Sequence, residues 1–173
     1  MIIERYDYFL LDLDRTIWDF DANANAAMEM MLDKWNPPIG DRNIFLERYE
    51  VINRRLWDDY EAGRIAKEYL RRERFHQTLR DHYGIDDADA AEQMGSDYLD
   101  FMALGDILMP GAREVLEAIA ARDGKMAIVS NGFKEVQYRK LRVSKIDHFF
   151  RAVMISEEVG VHKPDPLIFQ KAL

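Results

Sequence analysis

The sequence contains no cysteine, which excludes disulfide bonds, thiolate nucleophiles and zinc–thiolate centres. It has no apolar run of the roughly 18 residues that a membrane-spanning helix requires. Its first residues, MIIERYDYFLLD, carry charges at Glu4, Arg5 and Asp7, where a secretory signal needs an unbroken apolar stretch. We therefore expect a cytoplasmic protein that has no membrane partner.

Basic residues are too few for a protein that binds nucleic-acid polymers. Lysine and arginine number 24 against 32 aspartates and glutamates, so the net charge is -8. A polymer-binding face would need a surplus of positive charge, whereas a small phosphorylated substrate needs only a locally positive site. With 48% hydrophobic residues the 173-residue chain can form a packed core. We expect a small-molecule partner and either a monomer or a homodimer.

Two aspartates stand one residue apart at the end of an apolar run, DYFLLDLDRT. The leucines and aromatic residues predict a strand over residues 6–12 that is buried on both faces, as in parallel sheets. Asp12 and Asp14 would then lie at the carboxyl end of that strand, where open α/β sheets bind ligands. Two other Asp-x-Asp triplets occur, so the spacing alone is also compatible with a polar strand end that meets solvent.

The rest of the chain divides into a helical part and a part that alternates helix and strand. Apolar spacing predicts helices over 21–35, 41–63, 64–84 and 86–105. Beyond LMPG it predicts a helix over 111–122, a strand over 125–130, a helix over 133–143, a strand over 152–156 and a last helix from KPDP. The same spacing puts Ile44, Tyr69 and Val115 on buried helix faces. The alternation predicts a Rossmann-like parallel sheet, interrupted after its first strand by a helical insertion.

Reactive or polar residues follow all three predicted strands. Asp12 and Asp14 end the first, Ser130 and Asn131 end the second at a helix start, and Lys163 follows the third. A parallel sheet collects these ends at one edge, where a hydroxyl, helix-start N–H groups and an ammonium suit a phosphate. Two simpler interpretations remain open: Ser130 as a helix N-cap, and Lys163 as a surface lysine before proline.

The segments DLDRT, VSNG and KPDP, in this order, resemble motifs I, II and III of the haloacid dehalogenase superfamily. The helical insertion resembles the C1 cap of that superfamily. Longer stretches, among them INRRLWDDYEAGRIAKEYLRRERF and VSNGFKEVQYRKL, are similar to the YjjG-type pyrimidine 5'-nucleotidases. The resemblance implies a core domain over residues 1–17 and 106–173 and a cap domain over residues 18–105.

The resemblance also implies roles for individual residues. Asp12 would attack phosphorus and form an aspartyl-phosphate, and Asp14 would protonate the leaving alcohol and then activate water. Lys163 would hold both the phosphate and Asp12, while Mg²⁺ would bridge Asp12, the Asp14 carbonyl and the phosphate. The implied phosphate-binding residues are Thr16, Ser130, Asn131, Gly132 and Lys163.

Asp14 favours phosphate chemistry over dehalogenation, because a halide leaves without a proton whereas an alkoxide needs one. Two carboxylates and a phosphate dianion carry about -4, and Lys163 with Mg²⁺ supplies about +3. We therefore predict a Mg²⁺-dependent phosphomonoester hydrolase that acts on pyrimidine nucleoside 5'-monophosphates. A sugar-phosphate phosphatase, a phosphomutase of the same superfamily and a non-catalytic fragment or pseudoenzyme are the alternatives.

The fourth motif of the superfamily, an acidic pair on a later strand, should follow KPDP, but the sequence stops at Leu173. We therefore expect the C-terminal part of the core to be missing. The absent strands would normally lie beside the first strand, which would leave that strand at a bare sheet edge. Taken alone, such a chain is expected to hold Mg²⁺ weakly and to show little activity.

Overall fold

A computed structural model describes residues 2–172 of the chain and the side chains of residues 4–172. The chain separates into two compact units. The sheet unit consists of Met1–Ala27 and Met102–Leu173, and the helical unit consists of Met28–Phe101.

Helices dominate the described residues. The helices are α1 (Phe20–Trp35), α2 (Arg42–Glu61), α3 (Lys67–Tyr83), α4 (Ala88–Met102), α5 (Ala112–Ala120), α6 (Lys134–Val143), α7 (Ser156–Val159) and α8 (Pro166–Gln170). The strands are β1 (Tyr8–Leu11), β2 (Lys125–Ser130) and β3 (Phe150–Ile155). Within residues 2–172 no helix combines the length and the apolar character that crossing a bilayer would need.

The three strands form one parallel sheet in the order β1-β2-β3, which confirms the predicted parallel architecture. Leu11 pairs with Ile128, and Ser130 pairs with Ile155, so all three strands end at the same edge. The central strand β2 is buried from Met126 to Ser130, as its unbroken apolar sequence predicts. Among the described residues β1 is an outer strand of this sheet, and its carboxyl end leads directly to the two aspartates.

The helical unit is built around an aromatic core. The rings of Tyr49 and Phe75 lie 4.9 Å apart, and Tyr98 meets Phe75 edge-on at 5.7 Å. Asp41 caps α2 by accepting a hydrogen bond from the backbone N–H of Asn43, which satisfies one of the free donors at the helix start.

Three predicted burial assignments are wrong, because Ile44, Tyr69 and Val115 are exposed. Each precedes an apolar residue that is buried instead, and those buried neighbours are Phe45, Leu70 and Leu116. Consecutive helical residues point about 100° apart, so an adjacent apolar pair at the margin of a buried face places only one member inside. The sequence pattern identifies the buried face of each helix correctly, but it does not identify which residues at the edge of that face are exposed.

Candidate active site

The loop after β1 turns sharply around Leu13 and separates buried from accessible side chains. The Leu13 carbonyl accepts hydrogen bonds from the backbone N–H groups of Ile17 and Trp18, both at 2.9 Å. Leu13 and Trp18 are fully buried, and the Trp18 indole N–H donates to the Gly105 carbonyl at 3.1 Å. Because the apolar residues of this loop anchor it in the core, Asp12 is left accessible at the end of the strand.

Asp12 and Lys163 form an ion pair across the sheet edge. The Lys163 Nζ lies 2.6 Å from the Asp12 Oδ1, and the side chains are 23% and 42% exposed. Asn131 fixes the lysine from behind, because its Oδ1 accepts from the Lys163 N–H at 2.7 Å and its Nδ2 donates to the Lys163 carbonyl at 3.1 Å. Asn131, the residue after β2, thus holds the loop that carries Lys163. Asp12 and Lys163, both predicted site residues, are in direct contact.

Ser130 lies buried at the end of β2, within reach of the same network. Its Oγ accepts hydrogen bonds from the Gly132 N–H at 3.1 Å and from the Gln137 Nε2 at 2.6 Å. With both lone pairs engaged, its own O–H proton remains to be donated. Helix α6 begins at Lys134, with Phe133 in the cap position, so Ser130 is not the N-cap of α6.

A Cβ at Gly132 would collide with the Gln137 Nε2, so a side chain here would displace the amide that contacts Ser130 and Asp14. Thr16 lies differently from the other predicted phosphate-binding residues. It is exposed on the loop after β1, and within residues 4–172 its hydroxyl makes no hydrogen bond to the network around Ser130.

Asp14 is held by two residues that the sequence analysis did not select. The Lys140 Nζ lies 2.7 Å from the Asp14 Oδ1, and the Gln137 Nε2 donates to the Asp14 Oδ2 at 2.7 Å. The side chain of Lys140 is only 2% exposed, and that of Asp14 is 24% exposed. A signal was available, because residues 136, 137, 140 and 141 share one face of the predicted helix. Two polar residues among apolar ones on a buried face need buried partners.

Lys140 lies in an aromatic environment that water does not reach. Its Nζ is 4.0 Å from the centre of the Trp18 ring and 5.5 Å from that of Phe20. Burial lowers the pKa of Lys140, and the carboxylates of Asp14 and Asp12 partly offset this effect. An opposite charge stabilises such a buried ammonium, and Asp14 supplies that charge when it is ionised.

The two aspartates therefore have one lysine each: Lys163 pairs with Asp12 and Lys140 with Asp14. Two carboxylates at neighbouring positions of one loop repel one another, and more strongly where the dielectric constant is low. The two ammonium groups offset that repulsion without any other ligand. Lys163 and Mg²⁺ are the groups that the sequence predicts for this role, and Lys140 is a further positive charge that the structure adds.

The Asp12 carboxylate and the Asp14 backbone carbonyl, which follow β1, are oxygen ligands of the kind that Mg²⁺ binds. Oδ1 of Asp12 accepts from Lys163 and from the Leu13 N–H, whereas within residues 4–172 its Oδ2 has no hydrogen bond or ion pair. The backbone hydrogen bonds of the following loop likewise leave the Asp14 carbonyl unused. Among the described residues no cluster of three or more His, Cys, Asp or Glu could hold a metal. A carboxylate and a carbonyl nevertheless suit Mg²⁺, which keeps several waters as ligands.

Comparison with known proteins identifies the family. The model of the haloacid dehalogenase-like hydrolases matches residues 6–173. This chain belongs to that hydrolase family. The family match covers β1 with its two aspartates, β2 with Ser130 and the loop with Lys163.

Individual relatives agree with this membership in the haloacid dehalogenase-like family. Pyrimidine 5'-nucleotidase PynA of Streptococcus pneumoniae is 30% identical over 96% of this chain and 68% of its own length. Pyrimidine 5'-nucleotidase YjjG of Escherichia coli is 30% identical over 98% of the chain and 71% of its own length. The chain thus spans about two thirds of the length of these relatives.

A solved relative supports the fold of this haloacid dehalogenase-like chain. The crystal structure of the HAD-hydrolase YfnB of Bacillus subtilis, bound to magnesium, matches with a TM-score of 0.85 and 28% identity. The match covers 96% of this chain and 72% of YfnB.

Proposed function

We propose that the protein is a Mg²⁺-dependent phosphomonoester hydrolase in which Asp12 is the nucleophile. The observation that carries the proposal is the state of the Asp12 carboxylate. One of its oxygens is held by Lys163, whereas the other has no partner among the described residues, and the side chain is 42% exposed. A carboxylate with one fixed and one free oxygen is oriented for attack and still able to bond to phosphorus.

In the first step, Oδ2 of Asp12 attacks phosphorus with one of its lone pairs, which leaves its other lone pair for a cation, and the bond from phosphorus to the leaving alcohol oxygen breaks. Asp14 in its protonated form gives its proton to that oxygen, so the product leaves as a neutral alcohol. Lys163 neutralises charge on the phosphate, and Ser130 donates its free O–H proton to a phosphoryl oxygen. The catalytic contribution of these groups is mainly positioning and charge neutralisation.

In the second step, water attacks phosphorus and the bond to Asp12 breaks. Asp14, now a carboxylate, accepts the proton of the attacking water, which restores both residues for the next cycle. Mg²⁺ held by the Asp12 carboxylate and the Asp14 carbonyl would supply about two positive charges against the phosphate. While Asp14 is protonated, the Asp12 carboxylate and a phosphate dianion carry about -3, and Lys163 with this ion would supply about +3.

We further propose that the substrates are pyrimidine nucleoside 5'-monophosphates. The nucleotidases PynA and YjjG support this choice, since both are similar to the chain over more than nine tenths of its length. We also propose that residues 1–17 and 106–173 act as the catalytic core and residues 18–105 as a specificity cap. Exchanging the cap segment should therefore change the preferred substrate and spare the chemistry at Asp12.

The test is a phosphate-release assay on the protein with whatever sequence follows Leu173 in its gene. Pyrimidine and purine nucleoside monophosphates, sugar phosphates and p-nitrophenyl phosphate are compared with Mg²⁺ and with a chelator. We expect Mg²⁺-dependent release, fastest from pyrimidine nucleotides. Preference for sugar phosphates would overturn the substrate assignment, and no release from any substrate would overturn the hydrolase proposal.

A further inference from the structure

A single helix, α6, supplies hydrogen-bond donors to both carboxylate oxygens of Asp14. Lys140 binds Oδ1 and Gln137 binds Oδ2, each at 2.7 Å. These two residues lie on consecutive turns of α6, so the helix itself sets the distance between the two contacts. A carboxylate held at one oxygen can rotate about its bond to Cβ, whereas one held at both has its plane fixed.

The two residues that hold Asp14, Gln137 and Lys140, are themselves held in place by hydrogen bonding and packing. Gln137 is fully buried, and its Nε2 also donates to Ser130 at 2.6 Å, which ties Asp14 to the end of β2. Lys140 is packed against the Trp18 ring, and Trp18 belongs to the same loop as Asp14. Helix α6 is therefore tied both to the loop that carries Asp14 and to the end of β2.

The two contacts from Lys140 and Gln137 leave the Asp14 carboxylate able to exchange a proton. A carboxylate has about four lone-pair positions, and these two contacts occupy one on each oxygen. The side chain of Asp14 is still 24% exposed, so one part of the group can meet a ligand. Lys140 itself is too deeply buried to reach a ligand from solvent, so any effect on catalysis has to pass through a residue that it touches.

We propose that Lys140, together with Gln137, is a positioning residue that holds the Asp14 carboxylate at the place where the leaving oxygen needs its proton. This inference rests on the proposed function, because it assumes that Asp14 is the acid and base. Displacement of a reacting group by about 1 Å can reduce the rate by about 100-fold. Loss of Lys140 should therefore matter most for substrates whose leaving group depends on that proton.

The experiment compares kcat/KM for an alkyl phosphate, such as β-glycerol phosphate, with that for p-nitrophenyl phosphate, whose leaving group needs little protonation. The protein carries whatever sequence follows Leu173 in its gene. Lys140→Met should lower the ratio of alkyl to aryl activity by about 10-fold or more, mainly through kcat. Lys134→Met is the matched control, since Lys134 is an exposed lysine of the same helix that pairs with Glu158. Its ratio should equal that of the parent protein.

A double variant tests whether Lys140 acts only through Asp14. Asp14→Asn should lower the ratio by itself, and adding Lys140→Met should cause no further loss on either substrate. The double variant leaves no unpaired buried charge, so it remains informative if Lys140→Met alone does not fold.

The outcomes separate the two proposals. An unchanged ratio in folded Lys140→Met, with a lowered ratio in Asp14→Asn, overturns the inference about Lys140 and leaves the hydrolase proposal intact. A further loss in the double variant also overturns the inference, because Lys140 would then act independently of Asp14. If Asp14→Asn does not lower the ratio, the acid role of Asp14 is wrong and the inference about Lys140 falls with it.

Discussion

The two ion pairs at the end of β1 have the same chemistry but different access to water. Lys163 and Asp12 are both partly exposed, whereas Lys140 is buried beside an Asp14 side chain that is 24% exposed. Water competes for the charges of the first pair, and it cannot hydrate the ammonium of the second. An exposed pair contributes little to stability, whereas breaking a buried pair leaves an uncompensated charge.

This difference in access to water indicates different roles for the two aspartates. Because the Asp12–Lys163 pair is partly exposed to water, both partners can exchange contacts when a phosphate and a cation arrive. The Asp14–Lys140 pair is locked between a helix and the loop that follows β1, so Asp14 can keep its place while Asp12 reacts. Substitutions at the two pairs should separate these roles, and the largest effect is expected at Asp12.

The largest effect is expected at the accessible pair, in catalysis. Asp12→Asn keeps the size of the side chain but replaces the attacking oxygen with a weak nucleophile, so turnover should fall by about 1,000-fold or more. Circular dichroism and the thermal midpoint should match those of the parent protein. A variant that retains more than a tenth of the parent rate would contradict the role of Asp12.

The free energy of unfolding should depend more on the buried Asp14–Lys140 pair than on the accessible Asp12–Lys163 pair, the reverse of the order expected for turnover. Lys140→Met removes a buried charge from a partly exposed partner and should cost about 2–3 kcal/mol, somewhat below the range for fully buried pairs. Lys163→Met breaks an accessible pair and should cost less than about 1 kcal/mol. Urea denaturation of both variants measures this difference directly. Equal costs would show that the burial of Lys140 does not separate the two pairs.

The accessible lysine should matter instead for ligand affinity. Lys163→Ala removes a charge-assisted contact to phosphate and should weaken the binding of inorganic phosphate or vanadate by about 10- to 100-fold. Lys134→Ala, at an exposed lysine of α6, should leave that affinity unchanged. Calorimetric titration compares the two variants. Parent-like affinity in Lys163→Ala would remove Lys163 from the phosphate site.

A third ion pair, between Lys34 and Asp97 in the helical unit, should have the smallest effect on the free energy of unfolding. Burial raises the pKa of Asp97, but hydrogen bonds from Lys34 and Trp35 outweigh it, so the net pKa is lowered. A lowered pKa contributes stability above the unfolded-state value near 4, which is lost as the pH falls through the folded-state value. Asp97→Asn should therefore cost less than about 1 kcal/mol at pH 7. Urea denaturation should show that this difference narrows below about pH 4; a constant difference would contradict the assignment.

The sequence predicts the sheet edge well, because each of its signals is local. The apolar runs of β1 and β2 and the alternation with helices require a parallel sheet, and a parallel sheet brings Asp12, Ser130 and Lys163 to one side. The contact between Asp12 and Lys163 follows from topology and a long flexible side chain. Their roles in catalysis stay predictions.

The second pair was harder to predict, because its partners lie on a helix rather than at a strand end. Lys140 is one lysine among several in a charged segment, and only its place on the face shared with Leu141 distinguishes it. Which adjacent residue of a helix turns inward depends on the tertiary packing, as the exposed Val115 beside the buried Leu116 also illustrates. Asn131, expected at the phosphate, grips the Lys163 backbone, a contact that depends on loop geometry beyond any residue pattern.

The most direct test of the account is detection of the aspartyl-phosphate itself. The protein, with whatever sequence follows Leu173 in its gene, is mixed with a pyrimidine nucleoside monophosphate that carries a radiolabelled phosphate, and the reaction is quenched in acid within milliseconds. The account predicts labelled protein that loses its label to hydroxylamine, a phosphorylated peptide that contains Asp12, and no label in Asp12→Asn. Hydrolysis by the parent protein with equal labelling of Asp12→Asn, or with the label on another residue, would contradict it.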